Sequence, residues 1–257
     1  MIHRATTALL LRSLCIGFLT TLSYAQVSVL TQHNDTFRSG QNLQETQLHR
    51  SNVNVNQFGK LFTQPVDGQI YEQPLYVPNV SIPGRGTHNV VYVATMNDSV
   101  YAFDADNNTG ANSTALWSVN FTNPAAGITA IPSANVQPLA TDITGPIGIE
   151  STPVIDPSTG TLYVLARTLE NGAYFQRLHA LDITTGAEKF GGPAVINASV
   201  TTSSGTVKFD PMRQNQRCAL GLANGRVYIV WASHNDYGKY YGWVIAYNAT
   251  TLAQTAA

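Results

Sequence analysis

Residues 90–104 of the chain read VVYVATMNDSVYAFD, in which two apolar runs flank a short turn and the second run ends in an acidic residue. The same phrase returns as LYVL at 162–165 with LHALD at 178–182, and again as VYIVW at 227–231 with VIAYN at 244–248. The tyrosines of the first runs lie about 65 to 70 residues apart, and a four-strand unit repeated at a long period is typical of a propeller. The pattern therefore predicts an all-β fold, a partial β-propeller of four-stranded antiparallel blades.

The composition fits this fold class and argues against a nucleic-acid partner. Only 11% of the residues are charged, and 14 Lys and Arg stand against 15 Asp and Glu, which gives a formal net charge of −1. Long surface helices need more charged residues than this, and a nearly neutral chain has no long-range field to attract polyanions. We expect no binding of nucleic acid.

The first 25 residues predict a secretory signal peptide. Basic residues precede the apolar stretch 14–22. The cleavage site with small residues that follows it, at 23–25, places cleavage before Gln26. The apolar stretch is shorter than the roughly 18 residues that a membrane-spanning helix requires. We therefore expect residues 26–257 to form one propeller domain, secreted or periplasmic, with no membrane span after cleavage.

The repeat divides the mature chain into an N-terminal segment, 27–65, and about three units. The segment is turn-rich and carries a predicted strand at 59–62, and the units cover 72–121, 151–196 and 218–255. Since a ring closes only with more blades than these, we expect a chain that is incomplete at its C-terminus.

Three details of the repeat predict how the units pack. The second strand of each unit is apolar at consecutive positions, which indicates cover on both faces. The third strand ends in Asp104, Asp182 or Asn248, whose side chain can accept hydrogen bonds from the following turn. Trp117 lies on the outer strand of unit one, where its ring is expected to fill the space between adjacent blades.

Cysteine and histidine usage predicts no metal site. Cys218 is the one cysteine left after signal removal, and its apolar neighbours at 219–222 predict a buried, inert thiol. The six histidines are scattered, without the close His or carboxylate spacing of a zinc site.

At family level, the chain resembles the quinoprotein alcohol dehydrogenase-like superfamily. The resemblance lies in the N-terminal segment through Phe62, the runs 65–68 (PVDG) and 73–77 (QPLYV), the Ala-Phe-Asp and Ala-Leu-Asp strand ends, and the Thr-Gly turns. It is strongest to secreted bacterial propellers with PQQ-binding-like repeats and covers nearly all of residues 30–257. It implies an N-terminal strand and about three blades of a propeller that has about seven or eight when complete.

The resemblance leaves catalysis open. Quinoprotein dehydrogenases hold pyrroloquinoline quinone (PQQ) over calcium or a lanthanide, typically beneath adjacent cysteines, with carboxylate and amide ligands to the metal and an aspartate base. This chain lacks adjacent cysteines, and its carboxylates Asp142, Glu150 and Asp210 are isolated in sequence. No catalytic or cofactor-binding residue is therefore predicted, and PQQ with calcium belongs to the alternative that the chain is an enzyme.

The richest polar and aromatic loop interrupts unit three between its middle strands. Its candidate ligand residues are His234, Asp236, Tyr240, Tyr241 and Trp243, which could stack on a sugar ring or planar cofactor and hydrogen-bond to it. The alternative is a long loop that packs its own aromatic side chains.

A second insertion, 122–146, is rich in proline and predicts an irregular loop over one rim. We expect a secreted, non-catalytic propeller that binds a protein, a glycan or a small ligand at one rim. The alternatives are a PQQ-dependent alcohol or sugar dehydrogenase with part of its site on missing blades, and one module of a longer surface-attached interaction protein.

Overall fold

A computed structural model of the chain describes residues 27–136, 143–236 and 240–257. The predicted signal peptide lies outside these residues. The described chain is all-β, and its antiparallel sheets follow the sequence repeat. No helix among the described residues has the length and apolar character needed to cross a membrane.

Sheet I contains four strands in sequence order and corresponds to unit one. The turn at 95–98 joins its two middle strands, and Asp98 takes a left-handed conformation there (φ 58°), as short polar residues tolerate. The strands are β1 (Leu75–Ile82), β2 (Gly86–Ala94), β3 (Ser99–Asp104) and β4 (Trp117–Asn120).

Sheet II is centred on two ten-residue strands that pair with each other. Their inner half, at 161–165 and 178–182, carries the sequence repeat, and their outer half, next to the turn that joins them, meets the insertion 122–146. The insertion 122–146 was predicted to be irregular, and this was wrong, because Ile128, Thr129 and Ala130 pair with the outer end of the long strand 161–170. The strands are β5 (Ile128–Pro132), β6 (Pro146–Ile147), β7 (Val154–Asp156), β8 (Thr161–Glu170), β9 (Ala173–Asp182) and β10 (Ala194–Val195).

A hairpin and sheet III complete the described fold. The hairpin was not predicted, although the alternating residues of 199–208 around Ser204-Gly205 carry a turn signal that could have identified it. The hairpin strands are β11 (Ser199–Thr202) and β12 (Gly205–Lys208), and sheet III has β13 (Gln214–Asn215), β14 (Gly221–Ala223), β15 (Arg226–Ser233), β16 (Trp243–Asn248) and β17 (Gln254–Ala256).

In the described part of the chain, four short helical turns lie between the strands: Gly110–Ser113, Pro124–Ala126, Ser133–Val136 and His234–Asp236.

Sheet II packs between the other two sheets, as the consecutive apolar positions of its second strand predict. Leu162 and Val164 point into the apolar cluster shared with sheet I, whereas Tyr163 and Leu165 point into the cluster shared with sheet III. Because side chains alternate along a strand, a strand covered on both faces is expected to be apolar at consecutive positions, as 162–166 are.

Equivalent tyrosines connect each sheet to the next. The Tyr92 hydroxyl donates to the Ile183 carbonyl oxygen at 3.0 Å, and the Tyr163 hydroxyl donates to the Ala249 carbonyl oxygen at 2.6 Å. Each acceptor directly follows the Asp or Asn that ends the third strand of the next unit. Trp117 also contacts the next unit as predicted, since its Nε1 donates to the Ile183 oxygen at 2.9 Å.

The strand-terminal side chains also behave as predicted. Asp104, Asp182 and Asn248 each accept hydrogen bonds from backbone N–H groups two or three residues further along the chain. These bonds fix the turn that presents the acceptor carbonyl to the tyrosine of the preceding sheet.

Two further sequence predictions were wrong. Residues 59–62 form no strand, and Leu61 is exposed, because no described strand pairs with this segment. Cys218 is exposed rather than buried, since the chain bends at 217–219 and only Leu220 enters the core.

Candidate functional site

The predicted ligand loop lies between β15 and β16, and its side chains diverge. Tyr240 and Tyr241 are 51% and 44% exposed and Asp236 is exposed, whereas His234 and Trp243 are each only 6% exposed. Residues 237–239 lie outside the described chain. Of the five candidates, only Tyr241 and Trp243 line one common groove.

The groove is a space of about 690 Å³ between the β11–β12 hairpin and the segment 241–244. Trp243 and the half-buried Val200 and Val207 supply its apolar surface. The hairpin adds a polar rim of hydroxyl groups and one amine, from Thr202, Ser204, Thr206 and Lys208. Apolar surface with a few polar groups is the usual make-up of a ligand site.

Trp243 lines the groove, and its indole nitrogen is a buried donor. Its ring packs edge-on against Phe209, with ring centroids 5.8 Å apart. Its Nε1 is buried and has no hydrogen-bond acceptor among the described residues. An indole nitrogen can only donate, and a buried donor without an acceptor costs roughly 1 to 3 kcal/mol. Because this atom is buried, a ligand oxygen in the groove reaches it only if the indole ring shifts on binding.

A second group of polar side chains, buried between sheets I, II and III, also contains atoms without a hydrogen-bond partner among the described residues. Arg167 is fully buried on β8; its Nη2 lies 3.0 Å from His234 Nε2 and its Nη1 lies 4.0 Å from Glu150 Oε2. The Arg167 backbone N–H donates to Asp98 Oδ1 at 3.1 Å. Asp98 Oδ2 and the Nε and Nη1 atoms of Arg167 have no hydrogen-bond partner among the described residues.

Burial dominates the electrostatics of this group. It raises the pKa of Asp98 well above its ordinary value, against the opposing effect of the Arg167 N–H and charge. Burial lowers the pKa of Arg167 to about 10, although Glu150 and Asp98 oppose the shift. Burial, followed by the Arg167 charge, lowers the pKa of His234 to about 3, so this histidine is neutral at physiological pH.

The carboxylates considered as possible ligands do not meet in one place. Glu150 lies beside Arg167 and 3.8 Å from Nε of Arg217, whereas Asp210 is paired with Arg213 at 3.3 Å. Asp142 lies outside the described residues. In the part of the chain that the structure covers, no three His, Cys, Asp or Glu side chains are grouped so that they could hold a metal ion.

Comparison with known proteins adds no assignment. No protein-family model matches the chain, and no curated protein matches it.

Proposed function

We propose that the chain is part of a secreted, non-catalytic β-propeller of the quinoprotein-like type, and that it binds a carbohydrate in the groove beside Trp243. The stacking of three sheets with four-strand repeats supports the propeller, since each sheet bonds to the next through an equivalent tyrosine. The buried Trp243 Nε1 without an acceptor carries the binding proposal.

The groove favours a sugar over other small ligands. Sugar rings present C–H faces that pack on aromatic side chains, and hydroxyl oxygens that accept from an indole N–H. Tyr241 and Trp243 provide aromatic surface, and Thr202, Ser204 and Thr206 provide hydroxyl groups that donate and accept. The single charge of the lining side chains, on Lys208, suits a neutral or weakly acidic glycan.

Trp243→Phe tests this proposal, because it keeps an aromatic ring beside Phe209 and removes the N–H. In isothermal titration with a panel of neutral oligosaccharides, we expect wild type to bind at least one of them. We expect the variant to lose about tenfold or more in affinity, on the scale of one buried hydrogen bond. Its free energy of unfolding should not fall by the cost of a lost hydrogen bond, because the donor has no acceptor among the described residues.

Trp231→Phe is the matched control. The Nε1 of Trp231 donates to Gln176 Oε1 at 2.7 Å, so its loss should lower stability by about 1 kcal/mol or more and leave sugar affinity unchanged. Equal sugar affinity of wild type and Trp243→Phe would contradict the groove assignment. Turnover of an alcohol or sugar after addition of PQQ and Ca²⁺ would replace the proposal by the dehydrogenase alternative.

A further inference from the structure

A second cavity, of about 210 Å³, lies at the outer end of the contact between sheets I and II. On the sheet I face of β8 and β9, the inner side chains Leu162, Val164 and Leu181 belong to the apolar core. Further out on the same face, Ala166 is too small to fill the space next to Phe121 and Ile128, which line the cavity with it. The cavity is independent of the Trp243 groove, with which it shares no lining residue.

His179 is the polar group of this cavity that is available to a ligand. It is 5% exposed, and Phe121 stacks on its ring with the centroids 3.7 Å apart. Its Nδ1 is hydrogen-bonded to Glu188 Oε1. Glu188 does not line the cavity, and His179 Nε2 has no hydrogen-bond partner among the described residues, which leaves Nε2 as the nitrogen for a ligand in the cavity.

The Glu188 carboxylate determines whether Nε2 of His179 donates or accepts a hydrogen bond. In a neutral imidazole, an Nδ1–H that donates to a carboxylate leaves Nε2 as a hydrogen-bond acceptor. A ligand atom that meets Nε2 of the neutral imidazole is therefore a donor.

The remaining polar side chains of the cavity satisfy one another. Arg177 Nη2 donates to Glu170 Oε2 at 3.0 Å, and Nη1 contacts Glu170 Oε1 and the Thr168 hydroxyl. Thr168 in turn donates to Glu170 at 2.6 Å. The described lining thus offers no unpaired charge to an ionic ligand, and its other residues, Phe121, Ile128, Ala166 and Pro193, are apolar.

We propose that this cavity binds a small phenol, whose hydroxyl donates to Nε2 of His179 while its ring packs between Phe121 and the apolar wall. An apolar protein cavity of about 150 Å³ is large enough for benzene, so 210 Å³ admits a single hydroxylated ring. The apolar wall favours an aromatic body over a polyol, and the single acceptor favours one hydroxyl group.

The test is an NMR titration of the labelled full chain with phenol and with anisole, which has a similar ring and lacks the donor. We expect saturable shifts at Ala166, Thr168 and His179, and a phenol affinity about tenfold above that of anisole, as one hydrogen bond would give. Equal affinities, or the absence of saturable shifts at these three residues, would overturn the proposal.

Two variants test whether phenol binds in this cavity or elsewhere on the protein. Ala166→Leu fills the space while both members of the His179–Glu188 pair are retained, and it should abolish the phenol shifts. His179→Asn keeps a donor for Glu188 and removes Nε2, so phenol should weaken to the affinity of anisole. His88→Asn is the matched control, because His88 Nδ1 bonds Asp104 at 2.7 Å in a similar pair that lines neither cavity.

The Ala166→Leu result and the anisole comparison decide the outcome even if His179→Asn fails to fold. Unchanged phenol binding in Ala166→Leu would place the ligand elsewhere and refute the assignment.

Discussion

Glu72 is a buried residue whose ionisation makes the stability of the fold depend on pH. It is buried just before β1, and Oε1 accepts the Ala94 N–H at 3.1 Å while Oε2 has no partner among the described residues. Burial raises the pKa of Glu72 to about 8, against the opposing effect of the Ala94 hydrogen bond. The folded state thus keeps this carboxyl protonated at neutral pH.

The sign of the effect follows from proton linkage. The unfolded chain ionises Glu72 near its ordinary pKa of 4.5, and the folded chain does so near 8, so unfolding releases a proton between these values. Rising pH favours the state that releases protons. The contribution of Glu72 is therefore fully present below pH 4.5 and is lost, at up to about 1.4 kcal/mol per pH unit, as pH rises towards 8.

Glu72→Gln tests this contribution, because the amide retains an oxygen for the Ala94 N–H and cannot ionise. We expect its free energy of unfolding to fall less than that of wild type between about pH 5 and 8, by a few kcal/mol in total, as measured by urea denaturation. Glu45→Gln serves as control, since Glu45 is exposed and its pKa is lowered by the N–H groups of Leu48 and Gln47. If the free energy of unfolding of Glu72→Gln fell with pH as steeply as that of wild type, Glu72 would not be protonated in the folded state at neutral pH.

For single residues, the sequence predicted the contacts between side chains and nearby backbone groups. It did not predict contacts between residues that are distant in sequence. Asp182 and Asn248 were recognised as turn acceptors because their partners are two or three residues away. Arg167, Asp98 and His234 belong to distant parts of the sequence, and nothing in the local pattern brings them together. For the same reason the loop candidates looked like one site, although His234 turns inward to Arg167.

Among the elements, the turn after β9 shows how one sheet is fitted to the next. Gly186 has a left-handed backbone (φ 74°), and a Cβ atom there would lie 2.7 Å from Trp117 Cε3 and 3.1 Å from Val119 Cγ1. The turn of sheet II therefore packs its backbone directly on side chains of β4. The Thr-Gly signal predicted a turn at this position, but the contact with Trp117 depends on how the two sheets stack.

Gly186→Ala should consequently destabilise the protein by about 3 kcal/mol, since overpacking adds to the strain of a left-handed residue. Gly172→Ala is the control: Gly172 also has a positive φ (90°), in the β8–β9 turn, but no atom lies within 4 Å of the position that a Cβ atom would take. It should cost only the backbone strain, about 1 kcal/mol. Equal losses in urea denaturation would show that Trp117 does not pack on Gly186.

At the scale of the whole molecule, the three sheets depend on sheet II. The local apolar patterns correctly predicted three antiparallel units and the two-sided cover of β8. The same prediction was wrong for β15, along which buried and more exposed residues alternate. The hairpin at 199–208 and the pairing of β5 with β8 were missed, since they lie between the repeats. Leu162 and Tyr163 are neighbours in sequence, yet they stabilise different interfaces, with sheet I and sheet III respectively.

This arrangement predicts two distinct patterns of hydrogen exchange. Leu162→Ala and Tyr163→Ala each empty a fully buried position, at a cost of about 3 to 5 kcal/mol for the tyrosine and slightly less for the leucine. We expect Leu162→Ala to speed exchange chiefly in β2 and β3, and Tyr163→Ala chiefly in β15 and β16, because each opens one interface first.

Leu61→Ala, at an exposed position, should change neither stability nor exchange. A loss below about 1 kcal/mol in Tyr163→Ala would contradict its place between sheets II and III. Identical exchange patterns in the two core variants would mean that the sheets open together, so that sheet II transmits each local loss to both neighbours and the chain unfolds as one cooperative unit.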